Sequence, residues 1–138
     1  MSIEANKALI RRYYEDLWNQ WRFELADELI DQDVRFRGSL GRMVAGRGGL
    51  VGYMKHVQAG FPDFFNTIEE LVAEDDRVVA RLSFTGTHRG EMFGMPPTGH
   101  RVRYAGVGIF QLTGSRIIEG WVLGDLAGLL LQLRPDDK

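Results

Sequence analysis

The stretch GTHRGEMFGMPPTGHRV, residues 86–102, decides how this chain of 138 residues is organised. Glycines and two adjacent prolines predict a loop over residues 89–99. On either side, β-branched and aromatic residues alternate with polar ones, which predicts strands over residues 78–87 and 100–112. A Thr-Gly-Ser turn at residues 113–115 then predicts a hairpin, with its return strand over residues 116–123. The stretch therefore lies within a predicted antiparallel sheet.

Helical periodicity dominates the chain before this sheet. A first predicted helix begins at the N-cap residue Ser2, a second covers residues 25–30, and a third covers residues 50–61 and ends before Pro62. Shorter strands are predicted at residues 34–37 and 65–72, and a last helix begins at Asp125. Helices that precede an antiparallel sheet predict an α+β fold with the helices on one face of the sheet.

Composition excludes several classes of function. The length predicts a single domain, residues 1–138. A net charge of −2, from 17 basic and 19 acidic residues, offers no electrostatic surface for nucleic acid. The chain has no cysteine, which excludes disulfides and thiolate-bound zinc and fits a cytoplasmic location. Its apolar stretches are too short to span a bilayer, and its histidines lack metal-ligand spacing, so we expect no membrane, metal or cofactor.

The stretch at residues 86–102 resembles the loop of SnoaL-like polyketide cyclases, in which G-T-H-x-G leads into G-x-P-P-T-G. The segments NKALIRRYYEDLWNQ (6–20), FPDF (61–64), GSRIIEGW (114–121) and GLLLQL (128–133) agree. The resemblance implies a cone-shaped α+β barrel of the nuclear-transport-factor-2-like type, with N-terminal helices packed on a curved, mostly antiparallel sheet around a hydrophobic pocket. It also implies cofactor-independent acid–base chemistry and a homodimer formed through the open face of the sheet.

One departure from the family pattern bears directly on mechanism. By the resemblance, the usual histidine and aspartate of the cyclases fall on Gly108 and Val122, and neither residue can move a proton. The usual mechanism therefore does not carry over. Tyr104, Gly106, Gly108 and Phe110 share one face of their predicted strand. The glycines either relieve bending in a curved sheet or leave room for a flat ligand, and both interpretations stand.

Three other residues are candidates for acid–base or charge-stabilising roles. His88 either acts as an acid or base near neutral pH or ties down the loop through a hydrogen bond. Asp125 either caps the last helix or contacts a ligand at the pocket mouth. Arg37 either points inward to stabilise an enolate or carboxylate oxygen, or lies on the surface.

The sequence predicts binding of a small hydrophobic, polyketide-like carbonyl compound in an enclosed pocket, with cyclase- or isomerase-type chemistry as its activity. The alternatives are a non-catalytic binding protein and a homodimeric association module. The residues predicted to line the pocket are Tyr14, Trp18, Met54, Phe64, Tyr104, Gly108, Trp121 and Val122.

Overall fold

The structure, a computed structural model, describes residues 2–135; residue 1 and residues 136–138, the ends of the predicted single domain, lie outside the described residues. The α-helices are α1 (Ile3–Arg12), α2 (Ala26–Leu29), α3 (Arg47–Gly60) and α4 (Leu126–Gln132). The strands are β1 (Ile30–Arg37), β2 (Met43–Ala45), β3 (Phe65–Glu74), β4 (Arg77–Thr87), β5 (Arg101–Thr113) and β6 (Arg116–Gly124). A π-helix (Tyr13–Trp18) continues α1, and a 3₁₀-helix (Phe23–Leu25) precedes α2.

The strands form one six-stranded sheet in the order β2-β1-β6-β5-β4-β3. The pair β1–β6 is parallel and the other neighbouring pairs are antiparallel. The predicted α+β fold with a mostly antiparallel sheet is confirmed. Because β2 and β3 remain edges of the described sheet, it does not close into the full barrel that the resemblance implied.

The first helix begins as predicted, since the Ser2 side chain accepts a hydrogen bond from the Ala5 backbone N–H at 3.0 Å. The second helix is shorter than predicted. Ile30 already begins β1, in register with Ile117 of β6, so pairing with the sheet overrides the local helical pattern. Strand β2, inside the glycine-rich segment, was not predicted because it has only three residues, all at the sheet edge.

The core lies between the inner face of the sheet and the helices. The π-helix places Tyr13, Tyr14, Leu17 and Trp18 in this core, all less than 5% exposed. Two glycines of the sheet, Gly108 and Gly120, lie on the same inner face. The candidate site lies in this layer, between aromatic side chains of the helices and the glycine-containing inner face of β5 and β6.

Candidate functional site

A small cavity lies between the π-helix, α3 and the inner face of the sheet. Its volume is about 20 Å³, which is room for about one water molecule. The apolar part of its wall consists of Trp18, Phe36, Val57, Phe64, Phe84 and Val122. The polar part consists of Tyr14, Tyr53, Ser39 and Asn66. Four of the predicted lining residues are therefore on the wall: Tyr14, Trp18, Phe64 and Val122.

Aromatic rings in mutual contact surround the cavity. The ring of Phe64 lies 5.8 Å from that of Trp18 and stacks on Phe84 at 5.7 Å, measured between centroids. Trp18 also meets Tyr53 edge-on at 6.2 Å. Such rings offer flat apolar surfaces, which suit a planar hydrophobic ligand better than a polar or flexible one.

Hydroxyl groups collect where the β1–β2 turn crosses the cavity. The Ser39 Oγ lies 3.0 Å from the Tyr104 Oη, and the Leu40 backbone N–H donates to the Tyr53 Oη at 3.4 Å. Burial raises the pKa values of Tyr53 and Tyr104 above the ordinary value for tyrosine. Burial also raises the pKa of Tyr14, well above that value. All three phenols are therefore neutral at physiological pH and keep their protons for donation.

The inner-face glycines accommodate rings of the chain itself. A Cβ placed on Gly108 would lie 2.8 Å from Phe110 Cε2 and 3.2 Å from Tyr14 Oη. A Cβ placed on Gly120 would lie 2.8 Å from Phe36 and 3.1 Å from Phe110. In this structure the space beside these glycines is filled by aromatic side chains, which leaves no room for a ligand there.

Comparisons with known proteins identify the family of this chain. The family model described as SnoaL-like polyketide cyclase matches residues 8–133. The chain belongs to the SnoaL-like polyketide cyclase family. A comparison with curated proteins gives no match.

Solved structures of the SnoaL-like type show the same architecture. IdmH from Streptomyces antibioticus, assigned as a polyketide cyclase, is 30% identical, covering 93% of this chain and 97% of its own, with a TM-score of 0.81. AclR from Streptomyces galilaeus, assigned as a hydroxylase, is 29% identical over 96% and 97% of the two chains, with a TM-score of 0.82. A SnoaL-like polyketide cyclase homologue from Jannaschia sp. CCS1, 22% identical over 99% and 97%, has a TM-score of 0.90 and shows the fold alone.

In this SnoaL-like protein, Gly108 and Val122 are direct cross-strand partners on β5 and β6, and both are buried. Two side chains at these positions would face the same space, as an acid–base pair requires. Here the pair consists of a hydrogen atom and an isopropyl group. The described residues bring no imidazole or carboxylate to the cavity wall in its place.

His88 lies outside the cavity lining, in the corner where β4 meets the loop. The Thr98 backbone N–H donates to His88 Nδ1 at 3.2 Å, which makes Nδ1 an acceptor and places the proton on Nε2. The residue is fully buried, burial lowers its pKa, and its Nε2 has no hydrogen-bond partner among residues 2–135. These contacts join the His88 ring to Thr98 of the loop.

Asp125 is exposed and caps α4, where its Oδ1 accepts a hydrogen bond from the Gly128 N–H at 3.0 Å. Arg37 lies on the outer face of the sheet. Its guanidinium stands 5.4 Å from the centroid of the Trp121 ring and donates to the Val122 carbonyl. The structure thus places neither of these charged candidates in the cavity, and the inward interpretation of Arg37 is wrong.

The prediction that Trp121 lines the pocket is also wrong, because this side chain is 41% exposed on the outer face. Neighbouring residues of a strand face opposite sides, so Trp121 cannot share the wall with Val122. Met54 and Tyr104 are buried but lie behind the cavity wall.

Sequence reasoning missed six wall residues as site residues: Phe36, Ser39, Tyr53, Val57, Asn66 and Phe84. Tyr53 belongs to the apolar face of α3, where helical spacing indicates only burial. Ser39 lies in a glycine-rich turn with no periodic pattern, so nothing in the sequence connects it to Tyr104, 65 positions along the chain.

Two further structural observations bear on function. Among residues 2–135, no group of three or more histidine, cysteine, aspartate or glutamate side chains is arranged to hold a metal ion. No helix in that part of the chain is long and apolar enough to cross a membrane.

Proposed function

We propose that this member of the SnoaL-like polyketide cyclase family binds a small, neutral, hydrophobic carbonyl compound of polyketide-like shape in the aromatic cavity. The observation that carries the proposal is the cavity wall, in which stacked aromatic rings adjoin a cluster of tyrosine and serine hydroxyls. Rings bind the flat body of such a ligand, and a few polar groups fix its orientation.

Neutral phenols are suited to a carbonyl oxygen. Tyr14 and Tyr53 lie on the wall, and their raised pKa values keep the hydroxyls protonated as donors. No arginine, lysine or histidine is among the residues of the wall. A buried anion would therefore lack a counter-charge, which favours an uncharged ligand.

Ligand entry requires movement of the wall, because about 20 Å³ is far below the roughly 300 Å³ of a small-molecule site. The turn between β1 and β2 is the candidate for this movement. On the cavity side, the turn makes the hydroxyl contacts of Ser39 and Leu40, the second of them long at 3.4 Å, and Gly38 packs against the ring of Tyr53. Because the Tyr53 Oη accepts in the Leu40 contact, its own O–H can donate to a ligand carbonyl without displacing the Leu40 N–H.

Cyclase- or isomerase-type turnover without a cofactor is the second candidate function, and family membership favours it. Closing a ring by aldol condensation needs a donor to the developing enolate oxygen, which Tyr14 or Tyr53 would supply. With Gly108 and Val122 at the usual positions, the proton leaving carbon would pass to a water molecule or to a basic group of the ligand itself.

A thermal-shift screen tests the binding proposal. The panel contains flat aromatic polyketide esters, steroids, terpenoid epoxides and aliphatic carbonyl compounds. A ligand of the native state at 100 times its dissociation constant adds about 2.7 kcal/mol, a shift of several degrees. The Tyr53→Phe variant keeps the ring and loses the donor, so its shift should shrink for ketones and not for matched hydrocarbons. Recovery of each stabilising compound and its mass then separate turnover from binding. If none of the compound classes raises the unfolding temperature, the proposal is overturned.

We also propose that the chain forms a homodimer through the outer face of the sheet and works in the cytoplasm. Val107, Trp121 and Leu123 are each more than one third exposed on β5 and β6, and Val107 and Leu123 are cross-strand partners. Two ion pairs flank this apolar strip, Arg35 with Glu119 and Arg81 with Glu70, so each side of the strip carries a positive and a negative charge. A second copy of the same face would offer matching charges.

Sedimentation measures this association directly. We expect a dimer at micromolar concentration and a monomer for Leu123→Glu, which places a charge in the centre of the strip. Lys7→Glu, on α1, serves as the control at a distance from the sheet. A monomeric wild-type chain would overturn the dimer and leave the binding proposal intact.

A further inference from the structure

Phe110 lies flat on the inner face of β5 and β6. The ring is fully buried, and a Cβ on either Gly108 or Gly120 would come within about 3 Å of it. Gly120 is the direct cross-strand partner of Phe110. Glycine opposite an aromatic residue lets the ring lie across the backbone, so the two glycines and this ring form one packed unit.

This unit lies directly behind the cavity wall. Tyr14, a wall residue, meets the Phe110 ring edge-on at 5.9 Å between centroids. Phe36, also on the wall, shares with Phe110 the space above Gly120. Val122, a third wall residue, is paired with Gly108. Phe110 therefore closes the side of the cavity that faces the middle of the sheet.

We propose that Phe110 is the specificity-determining residue of this protein and that its ring sets the depth of the ligand chamber. The inference rests on the proposed function, since it states which ligands fit the same site. With Phe110 in place, the chamber ends at Tyr14 and Val122. Removal of the ring exposes the two glycines and extends the chamber by one aromatic ring.

The position of Tyr14 gives this extension a chemical signature. A Cβ on Gly108 would lie 3.2 Å from the Tyr14 Oη, so the space beside Gly108 is within hydrogen-bond reach of that hydroxyl. A ligand that enters the space vacated by Phe110 gains a donor as well as a surface. A gain in affinity that depends on the Tyr14 hydroxyl therefore identifies the space vacated by Phe110.

A series of neutral aryl ketones of increasing size tests the inference. The probes are acetophenone, 1-acetylnaphthalene and 9-acetylanthracene, with dissociation constants measured by titration calorimetry on the full chain. In Phe110→Ala, we expect the preference to move one ring up the series, with about tenfold tighter binding of the larger ketone relative to the smaller. The additional substitution Tyr14→Phe should remove most of this gain for ketones and spare the parent hydrocarbons.

Phe61→Ala is the matched control. Phe61 is another fully buried phenylalanine, and its ring packs against Gly86 as Phe110 packs against Gly108. We expect no change in the size preference for this variant. Phe110→Leu, a milder truncation, takes the place of Phe110→Ala if the alanine variant does not fold, and is compared over the first two probes.

The outcomes separate this inference from the proposed function. If the wild-type chain binds the ketones and Phe110→Ala keeps the same order of affinity, the inference is overturned and the proposed function stands. If Phe61→Ala shifts the preference as strongly, Phe110 has no special role, and the inference is again overturned. If neither the wild-type chain nor any variant binds a probe, the inference is overturned, and the thermal-shift panel decides the proposed function separately. A shift confined to Phe110 variants and sensitive to Tyr14 supports the inference.

Discussion

The two faces of strands β5 and β6 differ in kind, although their residues alternate along the same backbone. On the inner face, Gly108 and Gly120 support the fully buried ring of Phe110. On the outer face, Trp121 and Leu123 are each more than two fifths exposed. The difference teaches that inner-face residues are fixed by packing against one another, whereas exposed outer-face residues are available for contact with another protein.

The strongest test of this contrast removes the inner ring. Phe110→Ala should lower the free energy of unfolding by about 3–5 kcal/mol, since a fully buried ring leaves a cavity. Leu123→Ala, on the outer face, should change it by less than about 0.5 kcal/mol in the monomer. Denaturant unfolding measures both. Losses of similar size would mean that the two faces are equally packed.

A second test adds an atom instead of removing several. Gly108→Ala should lower the free energy of unfolding by roughly 1–3 kcal/mol, because its Cβ would lie 2.8 Å from a buried ring. Gly52→Ala, in α3 with nothing within 4 Å of its Cβ, should raise stability by roughly 0.5–1 kcal/mol.

The combination of Gly108→Ala with Phe110→Ala completes a double-mutant cycle. With the ring absent, the methyl group at position 108 has space, so most of its cost should disappear. A cost that persists in the double variant would place the strain in the backbone of β5 rather than in contact with Phe110.

A third test compares polar contacts on the two faces. Tyr104→Phe removes a buried hydroxyl pair with Ser39 and should lower the free energy of unfolding by about 1 kcal/mol. Glu70→Gln weakens an exposed ion pair with Arg81 and should cost no more than a few tenths of that amount. Thermal unfolding at matched salt compares the two, and a larger loss for Glu70→Gln would reverse the contrast.

The smallest expected effect concerns pH. Burial lowers the pKa of His88 in the folded chain, so the unfolded chain binds the proton more readily. Stability from this residue is complete above about 6.5, the ordinary histidine value, and is lost as the pH falls toward the lowered folded pKa. His88→Gln should flatten the fall of the unfolding temperature in that acidic range. An unchanged slope would show that other groups cause it.

Sequence reasoning reached the α+β order, the Ser2 and Asp125 caps and the pairing of β5 with β6, because these depend on neighbours close in the chain. It shortened β1 and missed β2, whose pairing partners lie far away in sequence. It placed Trp121 and Val122 together on the cavity wall, which the alternation of strand side chains does not allow.

Four wall residues could be predicted for the site, since aromatic spacing on the helices and family resemblance both indicate the inner layer. The cluster of hydroxyl groups beside the cavity could not be predicted. Ser39, Tyr53 and Tyr104 come from a turn, a helix and a strand, and only chain folding brings them together. The direction of Arg37 could not be predicted either. It depends on which face of β1 the helices cover, and that is decided only when the chain folds.

The sequence by itself determined the family and most of the element order, because motif residues and local periodicity carry that information. Only the tertiary structure decided what occupies the space beside Gly108 and Gly120. Rings of Phe110 and Phe36 lie over the glycines, and the cavity shrinks to about 20 Å³. The physical reason is close packing: which side chain fills a gap depends on all of its neighbours at once, and those neighbours are distant in the chain.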